Sequence, residues 1–420
     1  MINDEYKVIR DSIHGNIRFD NIFLELLDTP ELQRLSSIKQ LGLAHLVFPG
    51  AHHTRLEHSF GAFHMASEIS DALKLPTYEK NIVKCASLLH DIGHGPFSHT
   101  LESILRGTLN VDHVDLTQNL ITGKYSIFQE NEERFVHLTK TVAEVLESHQ
   151  VDTRTISNMI KGTKTAKPYL TQVLNSVIDV DQLDYLLRDA YYTGVAYGMI
   201  DTQRFVQTLL IHQDQLALNR KGVGVVENIL MARTLMYSSV YYHKTVRIAE
   251  LMLSRALEML PSLDPFEFFS MTDAELIMFL KQQETFQQSL ITHLKYRQLF
   301  KQAFVRSGQQ LTDEQKQVLS SLENNSIRRQ KEEFFEEYLN IPKGHVIIDI
   351  PSPDLHLAEP RIQQTDIPII DGENSKTLHD YTPVAEAIQM RSIPDWDVMI
   401  ITDNKYRKTV ATHAEKHLFS

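Results

Sequence analysis

The run from Cys85 to His99, CASLLHDIGHGPFSH, constrains this chain more than any other stretch. Ile82, Val83, Ala86 and Leu89 recur three and four apart, the stripe of an amphipathic helix, and His90, four after Ala86, continues it inward. Gly93, Gly95 and Pro96 then stop the helix. A helix that ends on an adjacent imidazole and carboxylate, His90 and Asp91, can turn both toward one divalent ion. The fold must then bring further ligands to that helix end, and candidates lie on other helical segments. Upstream, Arg55 and His58 stand three apart, on one face of a helix. Downstream, Asp181, Tyr185 and Asp189 follow one another at intervals of four, whereas Asp184 precedes Arg188 by four and is satisfied by an ordinary ion pair. Asp181 is accordingly the fourth ligand.

In that order, His58, His90 with Asp91, and Asp181 resemble the H…HD…D signature of the HD-domain metal-dependent phosphohydrolases. The segments DSIHG (11–15), QRL (33–35), IKQLG (38–42), FPGA (48–51), RLEHS (55–59), HDIGHGPFSH (90–99), DVD (179–181) and YYHK (241–244) narrow the likeness to the deoxynucleoside triphosphate triphosphohydrolase branch. It covers roughly residues 6 to 260.

The resemblance implies an all-helical HD-domain core and hydrolysis of a dNTP to deoxynucleoside and triphosphate. It implies catalytic roles for His94, His99, Glu102 and His113, and a phosphate contact for Arg55. Gln40, Leu41, Tyr185 and Asp189 look like a sugar pocket, with Arg233, Tyr241 and Lys244 as further phosphate and base contacts. Lys7, Asp28, Gln33 and Arg34 match a nucleotide-effector site. Relatives assemble as dimers and tetramers, so a homo-oligomer is expected. Two positions depart from the pattern: Gln182 replaces a lysine expected on the triphosphate, and Ser36 an arginine expected to stack on the effector base.

Chemistry read from the residues agrees with that class. Two imidazoles and two carboxylates leave coordination positions open and suit Mn, Mg, Fe, Ni or Zn rather than copper. Such an ion activates water and neutralises charge at phosphorus. Histidines with a carboxylate partner, as in the His94, His99, Glu102 and His113 set, can supply the proton a leaving alkoxide needs. A phosphohydrolase acting on another ester, a nucleoside monophosphate or cyclic dinucleotide, shares this chemistry. A nucleotide-sensing scaffold with a structural metal is the reading from a different class. His45, His52, His53, His64 and His243 are read as ordinary buried or surface histidines.

The remaining expectations come from composition and pattern. At 420 residues the chain exceeds one ordinary domain, and 42% hydrophobic with 23% charged residues fits a globular protein. A net charge of −12 disfavours nucleic-acid binding over most of the surface. No apolar run approaches a membrane span, and the charged N-terminus carries no secretion signal, so a cytoplasmic location is expected. The single cysteine, Cys85, excludes an intramolecular disulfide and reads as a buried filler. Helical periodicity runs from Asn21 to about Leu260, with short strands at Tyr6–Arg10 and Gln215–Leu218. Val225 to Leu260 reads as one helix or two. Pro261 and Pro265 mark a boundary, giving a core over 1–263 and a C-terminal α+β region over 264–420. There, 307–337 reads as a solvated helical pair, and 345–350 and 397–402 as strands. The whole is mainly α with a smaller α+β part.

Overall fold

Local signals fix most helix boundaries in the structure, a computed structural model that describes residues 5–97, 112–128, 132, 140–163, 165–261, 265–351, 368–389 and 398–420. Thr54 accepts from Glu57 N while the Glu57 carboxylate accepts from Thr54 N at 2.6 Å, a capping box that opens the Arg55–Ala72 helix. Pro76 precedes the Thr77–Leu89 helix. Asp179 caps the Val180–Thr193 helix through Gln182 N at 3.0 Å, and Gly194 closes it with φ 73°. Thr29 precedes the Pro30–Arg34 helix, yet its hydroxyl donates to Leu26 O (2.7 Å) and closes the Ile22–Leu27 helix instead of capping the next.

The chain forms two compact units, and each draws on segments from both sides of Pro261. The first takes Met1–Met236, Asp264–Leu276 and Arg361–Ile388. It is mainly helical, with the Arg55–Ala72 helix packed against both Thr77–Leu89 and Val180–Thr193. Arg55–Ala72 is buried nearly all round, and Gly61 is the point of closest approach: a Cβ there would overlap the Asp184 carboxylate. Phe19 stacks on Phe63 at 4.6 Å, which ties the N-terminal hairpin, Tyr6–Asp11 against Gly15–Asp20, to the same helix. A second sheet runs in the order Leu209–His212, Gln215–Asn219, Ile369–Asp371, Asn374–Lys376. Its first hairpin turns through Gln213 and Asp214, both at positive φ, as a two-residue hairpin loop requires.

The second unit takes Tyr237–Leu263, Ile277–Pro360 and Gln389–Ser420. A three-stranded antiparallel sheet places Val398–Thr402 between Lys301–Arg306 and Val346–Asp349. All five residues of the central strand are buried, so it reads as an unbroken apolar run. Phe304, Phe335, Val346, Ile348, Ile400 and Val410 are among the residues of this core. The helices Asp313–Leu322 and Asn325–Tyr338 form the expected pair, exposed along most of their length but with one buried face. Leu322 and Phe335 are buried, and so are two of the acids, because each meets a donor. Glu332 accepts from Ile348 N and Arg255 Nη2, both at 2.7 Å, and Glu336 accepts from Val346 N at 2.9 Å.

The strands expected at both ends of the chain are present, and the long segment from Val225 resolves into two helices, Val223–Met236 and Lys244–Glu258, joined through a π-helical turn at Tyr237–Tyr241. Among the described residues, no helix is long and apolar enough to cross a membrane.

Candidate metal centre

His58 lies in the first turn of the Arg55–Ala72 helix, and His90 caps the C-terminal end of Thr77–Leu89. Each ring is oriented through Nδ1. His58 Nδ1 lies 2.8 Å from Asp184 Oδ2, and His90 Nδ1 lies 2.8 Å from Ser87 O. A carboxylate and a carbonyl only accept, so both Nδ1 atoms carry hydrogen and both Nε2 atoms present lone pairs. Those Nε2 atoms face each other at 3.3 Å. Asp181 Oδ1, from the first turn of Val180–Thr193, lies 3.0 Å from His58 Nε2 and 3.8 Å from His90 Nε2. Three groups that only accept therefore converge on one point, an arrangement stable only with a cation or proton among them. The donor set fits a divalent ion, and His58, His90 and Asp181 offer ligand atoms all within 4.8 Å of one another.

Asp91 borders this cluster. Its Oδ1 lies 3.4 Å from His90 Nε2 and its Oδ2 lies 3.9 Å from His58 Nε2, while Arg55 Nη1 donates to Oδ2 at 2.5 Å. Burial opposes its ionisation, yet His90, Arg55 and His94 hold it well below the usual carboxylate range. Burial likewise opposes charge on His58, but the bonds to Asp181 and Asp184 outweigh it and raise the imidazole to about 10.

His94 Nε2 lies 3.3 Å from Asp91 Oδ1, and its ring stacks on His113 with centroids 3.9 Å apart. Burial, with the neighbouring Arg55 and His113, pushes His94 well below the ordinary imidazole value, so it is neutral. His113 opens the His113–Ile121 helix, and Gly93 lets the His90–His94 turn lie flat against it, since a Cβ would overlap His113 O. His99 and Glu102 lie outside the described residues.

The expected sugar-pocket residues belong to the same unit. Gln40 is buried and its Oε1 has no hydrogen-bond partner among the described residues. Leu41 is buried, Tyr185 is half-buried, and Asp189 Oδ1 meets His53 Nε2 at 2.7 Å. Arg233 is buried, with Nη1 donating to Val177 O at 3.3 Å. Tyr241 and Lys244 belong to the second unit. Tyr241 packs edge-on to Tyr237, and Lys244 opens its helix beside a cavity of about 420 Å³ that Arg297, Lys301 and Arg407 also line.

Of the residues matched to an effector site, Arg34 is held by backbone carbonyls. Its guanidinium donates to four carbonyls: Phe269 O, Met271 O, Ile92 O and His94 O, at 2.8 to 3.2 Å. It clamps the turn that carries His94. Lys7 and Asp28 pair with each other on the surface at 3.0 Å, and Gln33 Nε2 donates to Leu27 O.

Sequence reasoning missed the carboxylate beneath the metal ligands. Asp184 does pair with Arg188, at 2.8 and 2.9 Å, but it also accepts from His58 and from His14 Nε2 at 2.7 Å. His14, in the DSIHG segment, was the available signal. His53 likewise holds Asp189, although nothing in its spacing marked it.

Comparison with known proteins places this geometry in a family context. The sequence pattern of the HD domain matches residues 55–189, and that of the HD associated region matches residues 200–419. An uncharacterized protein of Methanocaldococcus jannaschii is 33% identical over 402 residues, 94% of this chain and 78% of that protein. The deoxynucleoside triphosphate triphosphohydrolase SAMHD1 homolog of Dictyostelium discoideum is 29% identical over 299 residues, covering 64% of this chain and only 54% of its own length. The crystal structure of a phosphohydrolase from Bacteroides thetaiotaomicron superimposes with a TM-score of 0.70 at 25% identity, over 95% of this chain and 100% of that one.

Proposed function

We propose, from the premise that this chain belongs to the HD-domain phosphohydrolases, that it hydrolyses deoxynucleoside triphosphates to deoxynucleoside and triphosphate. One divalent ion would be held by His58, His90, Asp91 and Asp181. The convergence of the two Nε2 lone pairs on Asp181 Oδ1, with each ring fixed from behind, carries the reading. An ion bound there would supply Lewis acidity and neutralise charge at phosphorus.

The protein's own groups do the rest. Attack of water on the α-phosphorus expels the 5′-oxygen of the nucleoside, which takes a proton as it leaves. His94 is the described imidazole placed for that exchange, with Asp91 orienting it and His113 stacked behind. In the substrate-free protein it is neutral; a polyanionic substrate beside it offsets burial and the Arg55 charge and favours its protonated form. Arg55 presents a guanidinium to phosphate next to Asp91. The Asp189 carboxylate can accept from a 3′-hydroxyl while the Gln40 side-chain amide, whose Oε1 has no hydrogen-bond partner among the described residues, can donate to it, and Tyr185 stands between Asp181 and Asp189 on the same helical stripe.

One observation favours a second reading, hydrolysis of a different phosphoester. Gln182 is buried and its Nε2 points to Ser176 O at 3.4 Å, so this position contributes no cation for a triphosphate. Product analysis separates the two. Incubation with Mn²⁺ and each dNTP is expected to yield deoxynucleoside and triphosphate, and release of orthophosphate alone contradicts the proposal. Asp181→Ala is expected to abolish turnover while leaving the folded state intact, whereas unchanged nucleotide turnover contradicts the assigned centre.

A further inference from the structure

We infer that His53 is the positioning residue of the sugar end of the site and sets the preference for substrates that bear a 3′-hydroxyl. The inference rests on the dNTP reading and adds a residue to it.

His53 lies in the loop before the Thr54 cap and reaches both groups assigned to the 3′-hydroxyl. Its Nε2 lies 2.7 Å from Asp189 Oδ1, 136 residues away, with both side chains almost wholly buried. Its carbonyl accepts from Gln40 N at 3.0 Å, next to the bridge between Lys39 and Thr54. The carboxylate only accepts, so Nε2 carries the hydrogen and fixes the plane of Asp189. The ring cannot swing aside, because it stacks on Tyr192 at 4.6 Å and 18°. The Tyr192 hydroxyl is itself tied to Glu57 Oε1 at 2.9 Å and Ser12 Oγ at 3.0 Å. His53 Nδ1 is buried without a hydrogen-bond partner among the described residues. An orphaned buried nitrogen is costly, and costs of that kind persist where a side chain serves a site rather than stability. One residue therefore sets the spacing between a backbone-held amide and a ring-held carboxylate, and a hydroxyl must fit between them.

The test compares kcat/KM for a dNTP and for its 2′,3′-dideoxy counterpart, with Mn²⁺ and the full chain. His53→Phe keeps a ring to stack on Tyr192 but removes the donor. The dNTP preference is expected to fall about 10-fold, the value of one hydrogen bond to a charged group. The fall is expected through the dNTP KM, with dideoxy turnover and metal stoichiometry unchanged. His53→Gln, which retains an N–H, is expected to restore the ratio to within about 3-fold. Should His53→Phe fail to fold, His53→Asn, too short to span to Asp189, carries the same expected loss. A folded variant with the wild-type ratio, or equal losses on both substrates, overturns the inference alone. Failure of the wild type to release deoxynucleoside and triphosphate overturns the substrate reading and this inference with it.

Discussion

His58 Nδ1 donates to Asp184 Oδ2 across 2.8 Å, and that one bond decides which nitrogen of His58 faces the metal centre. Asp184 accepts from His14 and Arg188 as well, and Arg188 Nη1 continues to Asp11 Oδ2 at 2.8 Å. The metal ligand thus stands on a buried, fully bonded network.

Weakening that bond should weaken the metal site. Asp184→Asn can accept from only part of its present donors and presents an N–H₂ to the rest. Metal affinity, measured by competition with a chelator, is expected to fall about 10- to 100-fold. Unchanged affinity in a folded variant would show that His58 is oriented by packing alone.

Gly61 admits the network to the helix. In Gly61→Ala the new methyl would overlap Asp184 Oδ1 and crowd Arg188 Nη2 at 2.6 Å. Displacing a buried ion pair is expected to cost about 3 kcal/mol or more. Denaturant unfolding with Asp184→Asn as a second arm reads this, and effects that simply add contradict a shared cause.

Proton and metal compete at His58. Its folded pKa, raised from 6.5 to about 10, means that the proton's contribution to stability is fully present below pH 6.5 and is lost as pH rises through about 10. A divalent ion must displace that proton. Its apparent affinity is expected to rise about 10-fold per pH unit between about pH 7 and pH 9. Calorimetric titration in buffers of different ionisation enthalpy counts the proton released, and a pH-independent Kd would contradict the linkage.

Arg34 distinguishes a clamp from an effector ligand. Arg34→Lys keeps one charge but cannot reach four carbonyls in a planar fork. The variant is expected to lose about 2 kcal/mol of stability or more and to lower kcat alike with and without an added guanine nucleotide such as GTP, the kind of effector that the resemblance implies. Unaltered basal turnover with loss of a GTP response would restore Arg34 to the effector site.

The order and neighbours of His58, His90 and Asp181 made their convergence legible in the sequence, because metal ligation constrains residue type and helix position together. Asp184 was half legible. Its spacing to Arg188 explained two of its contacts, and a carboxylate with four acceptor positions leaves room for partners that spacing along one helix never reveals. His14 and His53 act 170 and 136 residues from their carboxylates, beyond any local pattern. The carbonyls that Arg34 meets at Phe269 and Met271 lie 235 and 237 residues away, so no local pattern revealed them. Strand Val398–Thr402 was plain from its apolar run, whereas the acids of Asn325–Tyr338 hid a buried face because Glu332 and Glu336 pair with donors outside their own helix, 10 to 77 residues away.

Those two acids also govern what the small sheet can do in company. Val346–Asp349 is an outer strand, and the amides of Val346 and Ile348 that would otherwise recruit a neighbour's backbone are already closed by Glu336 and Glu332. The margin is sealed from within the same polypeptide, so chains crowded together at high concentration find no template there for cross-molecular β-association.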